Sequence, residues 1–205
     1  WKPWPPSQAK TVTYPSTGTY QVELKDSSYC GVVSITETIE IIDAPIPGIT
    51  ADKDTVCLGE DVVFTNTSTG AYTILNANFD DNKGLKAWDG NPKTINYNTV
   101  GEKTIFVIVD VKNGSFSCKD TSEVIVTVLP DPTANFTMNK NIGCGSLTVA
   151  FTESSSDATE WNWDFDNGQT SNAQNPGNIN FNSTGDYGVK LTVKSKKGCP
   201  STFTD

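Results

Sequence analysis

Apolar residues in this chain fall at every second position over short runs. Val107, Val109 and Val111 alternate with Ile108 and Asp110, and Val189, Leu191 and Val193 alternate with Lys190, Thr192 and Lys194. A period of two turns one side of a segment toward a core and the other toward water, which predicts half-buried β-strands. The runs 123–128 and 35–41 read the same way, and each is followed by a proline-bearing joint: Pro130-Asp131-Pro132 and Ala44-Pro45-Ile46-Pro47. Proline lacks the N–H a ladder needs, so these joints end strands and make stiff connections between units. No apolar run approaches the ~20 residues of a membrane-spanning helix.

Three segments repeat. Residues 14–30 (YPSTGTYQVELKDSSYC), 97–118 (YNTVGEKTIFVIVDVKNGSFSC) and 181–199 (FNSTGDYGVKLTVKSKKGC) each carry an aromatic residue, a glycine four positions on, alternating apolar positions and a cysteine. The second and third also match upstream. Asn91-Pro92 corresponds to Asn175-Pro176, and Cys57 precedes Phe64 by the same interval as Cys144 precedes Phe151. A period of roughly 85 residues is too long for a solenoid and suits a β-sandwich. The expected organisation is 1–43 as the C-terminal part of one repeat, 44–130 as a whole repeat, and 131–205 as a repeat lacking its last strand. On that reading the chain is part of a longer one, or a partner supplies strands.

The stretch Trp161-Asn162-Trp163-Asp164-Phe165-Asp166-Asn167-Gly168, followed by Asn175-Pro176 and by Gly185-Asp186-Tyr187-Gly188-Val189-Lys190-Leu191, resembles the PKD domain. The resemblance covers most of residues 131–199. One glycine of the family's hairpin is missing, and Asp166-Asn167-Gly168 is expected to turn instead, with Asn-Gly as its two-residue turn. Repeat two departs further: Asn78-Phe79-Asp80-Asp81 stands where the motif should be, without its tryptophan. The resemblance implies an all-β fold of tandem Ig-like (PKD-type) sandwiches joined by short Pro-containing linkers, displayed outside the cell and without catalytic chemistry. Asn/Thr-rich arrays of this kind with paired cysteines are similar to those of large surface adhesins and gliding-related proteins of Bacteroidetes.

By repeat position Cys57 is expected to pair with Cys118 and Cys144 with Cys199, while Cys30 matches Cys118 and Cys199 and looks for a partner upstream. Such bonds imply an oxidising compartment, and loops of this size are worth about 4 kcal/mol each in the chain-entropy treatment. The competing reading is five reduced, buried thiols. Zinc is disfavoured, because the chain has neither Cys-x-x-Cys nor histidine.

The absence of histidine also removes the commonest general base, so Ser-His-Asp and Cys-His triads cannot be built. Paired acids could still serve glycoside hydrolysis, but no spacing singles out a pair. A net charge of −9 repels phosphate backbones and argues against nucleic acid as partner.

Several residues carry a functional and a structural reading side by side. Trp161 and Trp163 share a strand face, either as a sugar-stacking platform or as core, with Trp161 the more exposed. Trp88, in an extended loop, is the first choice for a protein or glycan contact, and Trp1 and Trp4 also fall in loop-like sequence. Asp164, Asp166 and Asn167, joined in repeat two by Asp80, Asp81 and Asn82, could hold Ca²⁺ through hard oxygen ligands or could cap their own turns. Asp54-Thr55-Val56 resembles the O-glycosylation motif of Bacteroidetes at Thr55.

The function expected is a non-catalytic spacer and adhesion module at the cell surface, needing no cofactor and touching neighbouring repeats, surface polysaccharide or other surface proteins. The alternatives are a carbohydrate-binding accessory of a secreted hydrolase and a strand-exchanging subunit of a surface assembly.

Overall fold

The computed structural model describes residues 9–113 and 116–205; Trp1 and Trp4 lie outside them. Every regular element in it is a strand, as the period-two pattern requires. A hairpin comes first, β1 (Gly18–Ser28) and β2 (Gly31–Ile41), paired antiparallel from Gly18–Ile41 to Ser28–Gly31. Two sandwiches follow.

The first sandwich holds β3 (Ile49–Ala51), β4 (Thr55–Cys57), β5 (Asp61–Asn66), β6 (Ile74–Asn78), β7 (Lys86–Ala87), β8 (Lys93–Asn96), β9 (Gly101–Asn113) and β10 (Phe116–Leu129). One sheet runs β3-β5-β8 and the other β4-β10-β9-β6-β7. The second sandwich holds β11 (Phe136–Met138), β12 (Leu147–Glu153), β13 (Glu160–Asp164), β14 (Thr170–Ser171), β15 (Gly177–Phe181), β16 (Lys190–Lys194) and β17 (Pro200–Thr204). Its sheets are β11-β12-β15 and β14-β13-β16-β17. This is the Ig-like strand order in tandem, with the proline joint 130–132 between the two units.

The alternation pattern predicts no closing strand in 131–205. The structure places one at β17, antiparallel to β16 from Lys190–Thr204 to Lys194–Pro200. Only Phe203 in that stretch signals burial, packing edge-on against Phe136 at 5.2 Å. Five residues with one apolar anchor fall below what an alternation pattern can detect.

The cores follow the alternation. Val62, Phe64, Ile105, Val107 and Val126 fill the first sandwich, and Trp163, Phe165, Leu191 and Val193 the second, all fully buried. Asp110 departs from it. Although a charged residue in an alternating strand, it is buried, with Ser117 Oγ donating to its carboxylate at 2.7 Å.

Equivalent positions share side-chain geometry as well as sequence. Tyr20 Oη donates to Ser16 O at 2.8 Å and Tyr187 Oη to Ser183 O at 3.0 Å. Lys103 holds the same place by donating to Thr99 Oγ1 at 2.8 Å. Each of the three lies over the aromatic six positions earlier: Tyr14 at 4.5 Å, Phe181 at 4.8 Å and Tyr97 at 5.8 Å. The hairpin β1–β2 therefore has the side-chain corner that β9 and the approach to β16 have, yet no sheet faces it among the described residues. Cross-strand partners share a face, so Tyr20, Val22, Leu24, Ile35 and Ile39 lie together on one side of the ribbon, and of these all but Tyr20 are exposed.

The second sandwich has no hydroxyl at the place of Tyr97, since Phe181 stands there. Tyr97 Oη donates to the carbonyl of Phe79 at 2.6 Å in the buried interior. Burial first, then the charges of Asp80 and Asp81, push its hydroxyl well above the ordinary tyrosine range. A phenol that resists ionisation only when folded contributes stability that is whole below the unfolded value of about 10 and is lost as pH rises beyond it. Tyr97→Phe should therefore cost about 1–2 kcal/mol at neutral pH and flatten the alkaline fall. Urea unfolding between pH 7 and 11 measures both, and equal alkaline slopes would remove the assignment.

Candidate functional site

The joint between the sandwiches carries the chain's one disulfide among the described residues, Cys57–Cys199, with Cα atoms 5.5 Å apart. Cys57 reaches it because the chain leaves the first sheet after β3 and adds β4 to the other. Asp52 makes that bend: its N–H donates to Val63 O at 3.0 Å and its carboxylate accepts Val63 N at 2.8 Å. Strand β4 then runs parallel to β10, setting Cys57 opposite Leu129. The turn behind Cys57 is held by Glu60, which accepts Cys57 N at 3.2 Å and pairs with Lys53 Nζ at 2.6 Å. These bonds, the lysine's first, keep the Glu60 carboxyl below its ordinary range. On the other side, Cys199 closes the β16–β17 turn, accepting Ser195 N at 2.9 Å and donating to Ser195 Oγ at 3.2 Å. The Asp131 carboxylate, from the joint itself, lies within 4.8 Å of both sulfurs. That trio is the only cluster of three acidic or sulfur ligands among the described residues, and with both thiols oxidised it is not a metal site.

The expected pairs Cys57–Cys118 and Cys144–Cys199 do not form. Cys118 sits near the start of β10 and Cys57 beside its end at Leu129. Eleven residues of extended strand separate those levels by about 36 Å. Cys144 flanks a cavity that Asp205 also lines, whereas Cys199 lies six residues back, about 20 Å away along the strand. Matching cysteines by repeat position identified equivalent sites correctly but paired opposite ends of each sandwich. Cys30, Cys118 and Cys144 are free thiols here.

Trp88, expected to make a surface contact, is buried. It is 8% exposed, packs edge-on against Phe79 at 5.2 Å, and donates from Nε1 to Asn91 O at 2.8 Å. The reason lies in strand β6. Ala77 pairs with Val107 as Trp163 pairs with Leu191, so the first sandwich lacks the large residue that stacks on Phe165 in the second. Trp88 enters from β7 and supplies that volume. The small residue at 77 was the signal in the sequence.

Trp163 is fully buried, with Nε1 donating to Ala173 O at 3.0 Å. Trp161 packs half-buried on the same core, and its outer edge joins Asn162, Asn172, Thr192 and Lys194 around an open depression. Its Nε1 completes no hydrogen bond, yet it lies near Glu153. Burial pushes the Glu153 carboxyl up; bonds from Gln174 and Ser155, with the Trp161 N–H close by, outweigh that and leave it low.

The acidic hairpins cap themselves. Asp164 accepts Asp166 N at 3.0 Å, Asp166 accepts Gly188 N at 3.2 Å and Asn167 accepts Gln169 N at 3.0 Å. Asn78 likewise accepts Asp80 N at 2.8 Å. Positive φ falls on Asp166 and Gly168, at 55° and 81°, and not on Asn167 as the Asn-Gly turn predicted. The cap from Asp164 makes the left-handed conformation tolerable one step earlier. Thr55 is exposed on β4.

The fold is that of tandem Ig-like sandwiches, and residues 129–205 match the family model of the PKD domain. No curated protein matches. Solved structures similar to this chain include carbohydrate-binding modules of the β-sandwich superfamily described for promiscuous specificity. They are 19% identical over 75% of this chain and 55% of that one, with a TM-score of 0.38. The fibronectin(III)-like modules of Clostridium thermocellum CbhA are 16% identical over 77% and 90%, at 0.35. A chimeric titin Z1Z2 tandem is 15% identical over 77% and 96%, at 0.28. These likenesses are too loose to carry a shared role.

Two outcomes test the site. Trp88→Ala should destabilise the first sandwich by about 3–5 kcal/mol, read by urea unfolding; a loss under 1 kcal/mol would return Trp88 to the surface. Asp131 disfavours a thiolate beside it by about 1 kcal/mol across water. Asp131→Asn should therefore speed reduction of Cys57–Cys199 by dithiothreitol roughly two- to fivefold, followed by mass spectrometry of alkylated thiols.

Proposed function

We propose that this segment is a non-catalytic, load-bearing spacer of an extracellular adhesion protein. One observation carries the reading: the bond from Cys57 to Cys199 spans two consecutive sandwiches, with a sequence separation of 142. Tension applied along the chain enters at the joint 44–47, passes through β3 and β4, crosses the sulfurs and leaves through β17. Nearly all of both cores lies outside that path. A spacer that must not lengthen when pulled has use for such a bond; an enzyme's scaffold does not. The bond and the PKD match support an extracellular setting, and none of the described residues forms a helix long and apolar enough to cross a membrane. The surface-filament context and contacts with surface proteins or polysaccharide belong to this proposal, with the edge of Trp161 as remaining glycan contact.

The strand-exchange reading keeps one observation of its own. The apolar side of β1–β2, with Leu24 and Ile35 each 58% exposed, is a face that no other sheet covers among the described residues, and strands from elsewhere would cover it.

Single-molecule stretching from the two ends decides the load-bearing reading. Reduction should release about 50 nm of additional length, 142 residues at about 3.5 Å each, and Cys199→Ser should show that length without reductant. Equal extension in both states would sink it.

A further inference from the structure

Two of the three free cysteines occupy the same places as the bonded pair, and the third, Cys30, lies one residue before the corresponding place at Gly31. Cys144 stands where Cys57 does, ahead of the buried strand residues Phe151 and Phe64 respectively. The bends before them also match: Asn139 N donates to Ala150 O at 3.1 Å and Asn139 Oδ1 accepts Ala150 N at 2.9 Å, as Asp52 does with Val63. Cys118 stands where Cys199 does. Both lie at the start of the last strand of a sandwich, six and four residues ahead of its first core-facing apolar side chain: Val124, followed by Val126 and Val128, in one, and Phe203 in the other. Cys30 occupies the turn of the β1–β2 hairpin, whose corner matches the other two.

We infer that Cys57–Cys199 is one rung of a head-to-tail ladder. In it, the cysteine before the second strand of each sandwich bonds the cysteine at the last hairpin of the following sandwich. Cys144 is a first half, and Cys30 and Cys118 are second halves, of three further rungs; their partners are cysteines on sandwiches of the same kind. The ends of the units fit this. Cys57 lies at the end of its sandwich that meets the next one, beside Leu129. Cys144 lies at the corresponding end of the second sandwich, where its neighbours Gly143 and Gly145 line a cavity of roughly 630 Å³ with Leu147, Tyr187 and Asp205. Ile142 beside it is 83% exposed. Cys118 lies at the opposite end of its sandwich, on the side of the joint 44–47, because Ile46 bridges Thr69 and Thr73 N donates to Asp110 O at 2.8 Å next to that hairpin. No two of the three free thiols can therefore complete a rung within one sandwich.

Each rung forms when two thiols give up two protons and two electrons. The electrons pass to the disulfide of an oxidoreductase or to oxidised glutathione, which leaves as two thiols.

Disulfide mapping of the native full-length protein tests the ladder, with thiols alkylated before extraction and digestion without reduction. Cys57–Cys199 is expected in every digest. Cys30 and Cys118 should each carry a peptide from a preceding sandwich, and Cys144 one from the last hairpin of a following sandwich. A Cys144–Cys30 or Cys144–Cys118 peptide supports the same rung formed between copies. An alkylated thiol at any of the three positions, or a Cys57–Cys118, Cys144–Cys199 or Cys144–Cys144 peptide, overturns it. In the full chain Cys144→Ser should expose one newly alkylated cysteine and leave Cys57–Cys199 unchanged; no new alkylation would also overturn it. Stretching the isolated pair of sandwiches is indifferent to these outcomes, so the ladder and the load-bearing reading can fail separately.

Discussion

Strand direction governs what can be joined in this chain. In an antiparallel sandwich the last hairpin opens at one end, and the last strand delivers the chain to the other. Strand β10 runs fourteen residues between these ends, and at about 3.3 Å per residue no side chain bridges that distance. A cysteine at the hairpin and another before the second strand therefore cannot meet inside one unit. They meet across a joint, where the far end of one sandwich faces the near end of the next. The proline joint is short enough to keep the two ends in register, and β4, bound to the end of β10, fixes Cys57 at that level.

The consequence is mechanical. A disulfide within a sandwich limits how far that sandwich unravels. A disulfide between sandwiches removes most of two sandwiches from the line of force. Between Cys57 and Cys199 lie every strand from β5 to β16, and these cores need only survive thermal fluctuation. In the first sandwich the alanine at the fourth position of β6 is compensated by the tryptophan that follows β7. The charge on Asp131 works in the same direction, because attack on either sulfur by a thiolate must approach an anion.

Much of this was legible in the sequence, for reasons that differ by element. Strands β9, β10 and β16 announce themselves through alternation, because alternate residues along each are buried: Ile105, Val107 and Val109, then Val126 and Val128, and Leu191 and Val193. The three corners could be aligned because an aromatic, a glycine and a hydrogen-bonding side chain must keep fixed spacing to make the contact. Cysteine connectivity was not legible, since equivalence in sequence says which sites are alike and not which ends of a unit they occupy. Trp88 misled for a related reason. Loop-like flanks describe the backbone, whereas burial depends on a void created eleven positions earlier, at Ala77. The acidic hairpins were ambiguous in kind, because an oxygen that caps a turn, as those of Asp164 and Asn167 do at Asp166 and Gln169, has the same sequence signature as one that holds a cation.

The proposed ladder carries the mechanical argument one step further. Cys30 and Cys57 are 27 residues apart, and Cys118 and Cys144 are 26 apart. Each interval runs from the last hairpin of one unit, through its final strand and a proline joint, to the bend of the next. In a continuous ladder a rung then carries the force to the last hairpin of the unit after that. The load follows two interleaved tracks, each touching only those 26 or 27 residues for every two sandwiches. Drawn out fully, such a segment spans about 90 Å. Two folded sandwiches with strands of about 40 Å already span nearly as much. An array stapled in this way gains almost no length by unfolding, so its extension is set by covalent geometry and not by the stability of its cores.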